Sequence, residues 1–172
     1  MNAYSIIVFA AKYIQEFQQA QQLVKKSRFE VMQKWRAPDA GFIMINVDCA
    51  INQTDAIRGI GMVARNIDGM VVGAVQSNVN GIKDPTLIET LVAVRALYFA
   101  KDRGFTKLVL EGDALGVINK VNDNTFDLSM IGNFVSEVKL IRRHFLVCSV
   151  NHVFRKANKV AHILARDALS FD

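Results

Sequence analysis

The chain has 172 residues, which is enough for one domain with a sizeable core and a short appendage. Apolar residues make up 51% of the chain, so the composition excludes an intrinsically disordered protein. The formal charge of +5 favours an anionic partner, for which nucleic acid and an acidic membrane surface both qualify. Cys49 and Cys148 are too few for a disulfide framework. We therefore expect reduced thiols in an intracellular protein of the nucleus or the cytoplasm.

A long amphipathic helix is predicted near the start of the chain. The apolar residues that recur there at three- and four-residue spacing are Ile6, Phe9, Tyr13, Phe17, Ala20 and Val24. The longest apolar run, 6–11, is too short to span a bilayer and lacks the basic region of a secretory signal, so we expect no membrane partner. The predicted organisation is an N-terminal extension over 1–34, a linker over 35–41 and a domain over 42–172.

The pattern after Gly41 changes to that of β-strands. Residues 42–48 are apolar at nearly every position, as in a strand buried on both faces. Residues 58–66 and 70–78 are rich in Val, Ile and Gly, and the Asp68-Gly69 pair between them is a hairpin signal. The first three strands are therefore predicted to form an antiparallel meander.

Helices and strands alternate in the rest of the chain. A helix opens at Pro85 and ends at Gly104. The elements predicted after it are a strand over 107–111, a helix that Asp113 is positioned to cap, a helix over 129–144, a strand over 146–153 and a closing helix over 157–169. This order predicts an α/β fold with a five-stranded mixed sheet, in which three antiparallel strands precede two parallel ones, flanked by helices.

Three acidic residues occupy positions where acids are unexpected. Asp48 ends an apolar strand, Asp113 follows the strand 107–111, and Glu89 lies in the first turn of a helix on its buried side. Each has a local explanation, as a turn residue, an N-cap or an acid favoured by the helix dipole. Sites in open α/β sheets form outside the carboxyl ends of strands, where Asp48 and Asp113 both lie. If the three converge, their repulsion calls for a cation, and hard ions such as Mg²⁺ prefer such oxygen ligands.

The order and spacing of several motifs resemble ribonuclease H type 1, and most closely the retroelement-derived, reverse-transcriptase-like ribonuclease H domains of plants. The segments that carry the resemblance are Ile45-Asn46-Val47-Asp48-Cys49-Ala50, residues 59–66 with Asp68-Gly69, Ile88-Glu89-Thr90-Leu91, Leu110-Glu111-Gly112-Asp113-Ala114, and residues 152–165. The resemblance covers about residues 35–170 and implies the ribonuclease H-like fold.

The resemblance also implies a site and a reaction. It places the family's first three metal-binding acids on Asp48, Glu89 and Asp113, and its mobile histidine, which assists proton movement and product release, on His152. The fourth metal-binding carboxylate falls on His162, an uncharged metal ligand. The implied reaction is two-metal hydrolysis, with Mg²⁺ or Mn²⁺, of the RNA strand of an RNA–DNA hybrid, leaving a 3′-hydroxyl and a 5′-phosphate.

The expected nucleic-acid contacts lie at two places in the chain. The residues we expect to contact the hybrid are Thr86, Arg155, Lys156, Asn158 and Lys159. Two departures from the family affect this surface. Pro85 and Thr86 stand where related enzymes carry asparagines that touch the minor groove, and Cys49 replaces a glycine.

Three other functions stay open at this point. The first is a nucleic-acid-binding module that keeps the fold and the acids but cuts poorly or not at all. The second is a protein-interaction module that assembles through the N-terminal helix. The third is a DNA-cutting recombinase or exonuclease on the same fold, which the pattern of residues 152–165 disfavours.

Overall fold

The structure, a computed structural model, describes residues 34–52, 57–125 and 127–170. The predicted N-terminal helix lies outside these residues. The chain from Trp35 onward forms one compact unit. Within the described part, no helix is both long enough and apolar enough to cross a membrane.

A five-stranded mixed sheet forms the centre of the domain, as predicted. Its strands are β1 (Ile43–Ile51), β2 (Ile57–Arg65), β3 (Val71–Asn80), β4 (Lys107–Gly112) and β5 (Val147–His152). The spatial order is β3-β2-β1-β4-β5, so that β1 lies in the middle. The first three strands pair antiparallel, and β4 and β5 add in parallel on the other side of β1. The predicted fold class is therefore confirmed.

Four helices surround the sheet in the described residues. They are α1 (Pro85–Asp102), α2 (Leu115–Asn122), α3 (Met130–Arg142) and α4 (Lys159–Asp167), and a short 3₁₀ helix, Ala168–Ser170, follows α4. The start of α1 is fixed by Asp84, whose Oδ1 accepts hydrogen bonds from the backbone N–H groups of Thr86 and Leu87 at 2.7 and 3.4 Å. Gly104, with φ of +71°, lies just after α1 in a left-handed conformation that favours glycine.

The two faces of the sheet are covered differently. Helices α1 to α3 cover one face, where the buried apolar side chains include Ile45 and Val47 of β1 and Leu110 of β4. Helix α4 packs across β1 and β2 on the other face. Gly59 and Gly61 permit this close approach, because a Cβ on either would collide with α4 backbone. The helix that carries His162 and Arg166 is thereby held directly on the central strands.

The structure corrects three local predictions about the acidic residues. Strand β1 does not end at Asp48 but continues to Ile51, because this segment still pairs with β2; only its pairing with β4 stops at Val47. Glu89 lies in the second turn of α1, not in the first. Asp113 does not cap α2, since Ala114 occupies the N-cap position.

Residues 35–41, predicted as a linker, contact the domain. The indole Nε1 of Trp35 donates a hydrogen bond to Asn46 Oδ1 at 3.0 Å, and the Arg65 guanidinium lies 4.1 Å from the centre of the Trp35 ring. Pro38 is buried. This stretch therefore packs on the sheet.

Candidate metal centre

Asp48 lies at the centre of the site, on the central strand. Its side chain is almost fully buried, with 2% of the residue exposed. Its Oδ1 accepts a hydrogen bond from the backbone N–H of Cys49 at 2.8 Å, and Oδ2 lies 2.8 Å from Nδ1 of His162. Burial, together with the negative charge of Asp113, raises the pKa of Asp48 from 3.8 to about 6, against the opposing effect of the His162 hydrogen bond.

Glu89 reaches the site from α1 and is bonded to the residue after Asp48. The thiol of Cys49 donates a hydrogen bond to Glu89 Oε1, with 3.1 Å between sulfur and oxygen. Burial raises the pKa of the Cys49 thiol far above its usual range, so the thiol stays protonated and remains a donor. Burial also raises the pKa of Glu89 from 4.5 to about 7.

Asp113 completes a set of three carboxylates. It follows the end of β4, beside the point where the pairing of β1 with β4 stops. One oxygen from each of Asp48, Glu89 and Asp113 lies within 4.8 Å of the other two. Like charges this close repel one another unless a cation or protons lie between them. The oxygen donors and their mutual repulsion therefore fit a hard divalent cation such as Mg²⁺ or Mn²⁺.

His162, the predicted fourth metal ligand, is bonded to one of the three carboxylates. Among the described residues, the converging ligand atoms come from the three carboxylates, and the His162 ring is bonded to Asp48 instead. Arg155 Nη2 lies 3.3 and 3.4 Å from the two ring nitrogens. In this geometry His162 holds Asp48 in place, and its role as a fourth metal ligand stays a prediction.

The carboxylates open into a cleft of about 610 Å³. Two arginines, Arg155 and Arg166, line this cleft, and Ile51, Pro85 and Leu169 add apolar surface. Sequence reasoning missed Ile51, Arg166 and Leu169. The signal for Arg166 was present, because it follows His162 by four residues on a helix and residues so spaced share a face.

The remaining predicted site residues lie outside this cleft. His152 ends β5 with its side chain exposed, and its ring contacts Phe154 edge-to-face at 5.4 Å between centroids. Lys156 and Lys159 are exposed near the start of α4. Thr86 is partly exposed beside Pro85, in the first turn of α1.

Asn158 is the one predicted nucleic-acid contact that the structure contradicts. It is fully buried, and its Nδ2 donates a hydrogen bond to the backbone carbonyl of Val47 at 2.8 Å. This bond ties the start of α4 to β1 next to Asp48. Asn158 therefore supports the backbone of β1 beside Asp48, and its buried side chain is not available to a substrate.

A buried polar chain supports the strand that carries Asp48. Asn46 Nδ2 donates to Glu111 Oε2 at 2.8 Å, which links β1 to β4, while Asn46 Oδ1 accepts from Trp35 and from Arg65 Nη2 at 3.2 Å. Asn46 thus has partners for both ends of its amide, as a buried amide requires. These bonds join the central strands two residues before Asp48.

The sheet order and the carboxylate cluster together define a ribonuclease H type 1-like domain. A family model described as reverse transcriptase-like matches residues 46–168, which is well over half of the chain. The chain therefore belongs to the reverse transcriptase-like family, as its motifs predicted. The comparison with curated proteins found no match.

Solved structures share the fold at low sequence identity. Ribonuclease H1 from the halophilic archaeon Halobacterium salinarum is 22% identical with a TM-score of 0.68, and the match covers 74% of this chain and 97% of that one. The N-terminal ribonuclease H domain of a Mycobacterium tuberculosis protein, solved as a fusion with maltose-binding protein, is 18% identical with a TM-score of 0.67, covering 74% and 93%. LC11-RNase H1 in complex with an RNA/DNA hybrid is 15% identical with a TM-score of 0.66, covering 74% and 96%.

Proposed function

We propose that this protein is a metal-dependent endonuclease that hydrolyses the RNA strand of RNA–DNA hybrids. The observation that carries the proposal is the convergence of Asp48, Glu89 and Asp113 within 4.8 Å, at a cleft that arginines also line. The substrate class is supported by the structural likeness to LC11-RNase H1, which was solved with an RNA/DNA hybrid.

The three carboxylates are the groups that would hold two Mg²⁺ or Mn²⁺ ions. When bound, such ions supply an activated water and stabilise the charge that develops on the leaving oxygen of an in-line displacement. Asp48 would be central to holding the ions, because one of its oxygens lies within 4.8 Å of an oxygen of both Glu89 and Asp113. The hydrogen bonds from Cys49 and His162 fix the orientation of Glu89 and Asp48, as supporting bonds do for metal-binding carboxylates.

Substrate binding and product release involve residues around this centre. Arg155 in the cleft and the exposed Lys156 and Lys159 are the proposed phosphate contacts. Recognition would rest on the shape of the hybrid and on its 2′-hydroxyls. His152, from its exposed position at the end of β5, would assist proton movement and product release. Hydrolysis would leave a 3′-hydroxyl and a 5′-phosphate.

His162 favours a second candidate function, a module that binds nucleic acid but cuts slowly or not at all. The resemblance places a carboxylate at this position, whereas a neutral imidazole adds no negative charge to the metal set. In the structure this ring is bonded to Asp48. Weak binding of the second ion would leave recognition intact and reduce hydrolysis.

Cleavage of a labelled RNA–DNA hybrid by Asp48→Asn tests the first candidate against the second. The matched control is Asp102→Asn, which makes the same change at an exposed site at the far end of α1. We expect metal-dependent cutting of the RNA strand by the wild type and by the control, and loss of cutting in Asp48→Asn. Folded wild-type protein that binds the hybrid without cutting it would favour the second candidate.

A further inference from the structure

Arg166 is a positively charged side chain that lines the carboxylate cleft and has no acidic partner among the described residues. It lies in the last turn of α4, where its side chain is exposed. Within the described part of the chain, the ion pairs and side-chain hydrogen bonds do not include its guanidinium. Arg155, by comparison, contacts the His162 ring. The guanidinium of Arg166 is thus available to an anion that enters the cleft.

The position of Arg166 relative to the carboxylates is set by α4. His162 and Arg166 are four residues apart and lie on the same face of this helix, about 6 Å apart along its axis. His162 is bonded to Asp48 at 2.8 Å. The close packing of α4 against Gly59 and Gly61 holds the helix in place. Arg166 therefore lies about one helical turn along α4 from the residue that is bonded to Asp48. This axial spacing is comparable with that of neighbouring phosphates along a nucleic-acid strand.

The cleft has room for more than the group at the carboxylates. Its volume of about 610 Å³ falls in the range of pockets that hold drug-sized ligands, so a single phosphate would leave most of it unfilled. Leu169 and Ile51 line it as well as Arg166. A strand with one phosphate at the carboxylates would place its next backbone unit beside Arg166.

We propose that Arg166 forms a phosphate-binding subsite next to the metal centre, which holds the phosphate adjacent to the one at the carboxylates. This inference rests on the proposed function, because it takes the ligand to be a nucleic-acid strand. A guanidinium suits the task, since it presents a fork of donors to phosphate oxygens. The helix dipole alone does not call for an arginine here, because a lysine in the last helical turn would interact with the dipole equally well.

The test measures hybrid binding as a function of salt, with Ca²⁺ in place of Mg²⁺ and the RNA strand checked for integrity. The variants are Arg166→Gln, Arg166→Lys and, as matched control, Lys101→Gln. Lys101 is also exposed in the last turn of a helix, about 18 Å along α1 from Glu89. Lys101→Gln therefore removes one positive charge from the end of a helix, as Arg166→Gln does, but far from the carboxylates. Cleavage of the same hybrid in Mg²⁺ is measured separately.

The subsite predicts a specific loss in Arg166→Gln. Its affinity for the hybrid should fall about five- to tenfold, and the slope of log K against log salt should flatten by about 0.7–0.9, the contribution of one phosphate contact. Arg166→Lys should keep the wild-type slope, because one positive charge remains, and Lys101→Gln should match the wild type. Equal binding by Arg166→Gln and Lys101→Gln, or a wild type that does not bind the hybrid, would overturn the subsite. A wild type that binds but does not cut would overturn the nuclease proposal and leave the subsite to be judged by the salt slopes.

Discussion

His162 and Asp48, 114 residues apart in the chain, meet in a hydrogen bond of 2.8 Å between Nδ1 and Oδ2. The bond joins α4 to the central strand and holds one oxygen of the most buried carboxylate of the site. Through this contact α4 orients the side chain of Asp48, one of the proposed metal ligands.

Removal of this contact should reduce activity more than stability. His162→Ala leaves Asp48 without its imidazole partner, and loss of such a supporting bond typically costs about 10- to 100-fold in metal affinity or activity. We expect the Mg²⁺ concentration for half-maximal cleavage to rise, while His144→Ala, an exposed histidine after α3, behaves as wild type. An unchanged Mg²⁺ dependence in His162→Ala would argue against a role for His162 in positioning Asp48.

The hydrogen bond from Cys49 to Glu89 should affect metal binding in a way that serine can rescue. Cys49→Ala removes the donor, so the orientation of the Glu89 carboxylate is no longer fixed. We expect the Mg²⁺ concentration for half-maximal cleavage to rise in this variant and to return most of the way to the wild-type value in Cys49→Ser, whose hydroxyl can donate in place of the thiol. Cys148→Ala, the other partly buried thiol, is the control. Equal behaviour of the alanine and serine variants would contradict the proposed role.

The raised carboxylate pKa values predict how stability depends on pH without metal. The pKa of Asp48 rises from 3.8 to about 6 and that of Glu89 from 4.5 to about 7. Each group stabilises the fold below its unfolded pKa, and this contribution is lost as the pH rises through the folded pKa. With EDTA, the melting temperature should therefore fall between about pH 4.5 and pH 7.5.

Divalent metal should reverse this loss. Binding of Mg²⁺ favours the ionised carboxylates, so its stabilising effect should be larger at about pH 8 than at about pH 5.5. Thermal unfolding with Mg²⁺ and with EDTA at both values measures the effect, and Asp48→Asn should reduce it. A Mg²⁺ effect that is equal at both pH values would contradict the assignment of the ligands.

The close approach of α4 to the sheet should make Gly61 intolerant of a side chain. A Cβ there would collide with the backbone of α4, so Gly61→Ala should destabilise the protein by about 1–3 kcal/mol and displace the helix that carries His162. Gly116→Ala is the control, because no atom lies within 4 Å of its Cβ position and alanine favours the helix by about 1 kcal/mol. Chemical denaturation of both variants measures the difference. A Gly61→Ala protein as stable as Gly116→Ala would show that the helix packs less closely than described.

The strands and their order along the chain follow from local sequence signals, and much of the site does not. Alternation of apolar runs with Asp68-Gly69 and Pro85 is enough to predict the five strands, because hydrophobic period and turn residues act over short distances. The roles of Asn158 and His162 depend on how α4 crosses β1, which is a tertiary contact. Asn158 was predicted to contact the substrate because it lies among basic residues. In the structure it is buried, and its side chain donates a hydrogen bond to the backbone carbonyl of Val47.

Hydrolysis of an RNA–DNA hybrid with a separate label on each strand tests the proposed function most directly. In Mg²⁺ or Mn²⁺ we predict that only the RNA strand is cut, with 3′-hydroxyl and 5′-phosphate ends, and that EDTA abolishes the reaction. Folded protein that leaves the RNA strand intact in the presence of metal, or that cuts it equally well in EDTA, would contradict a nuclease built on Asp48, Glu89 and Asp113.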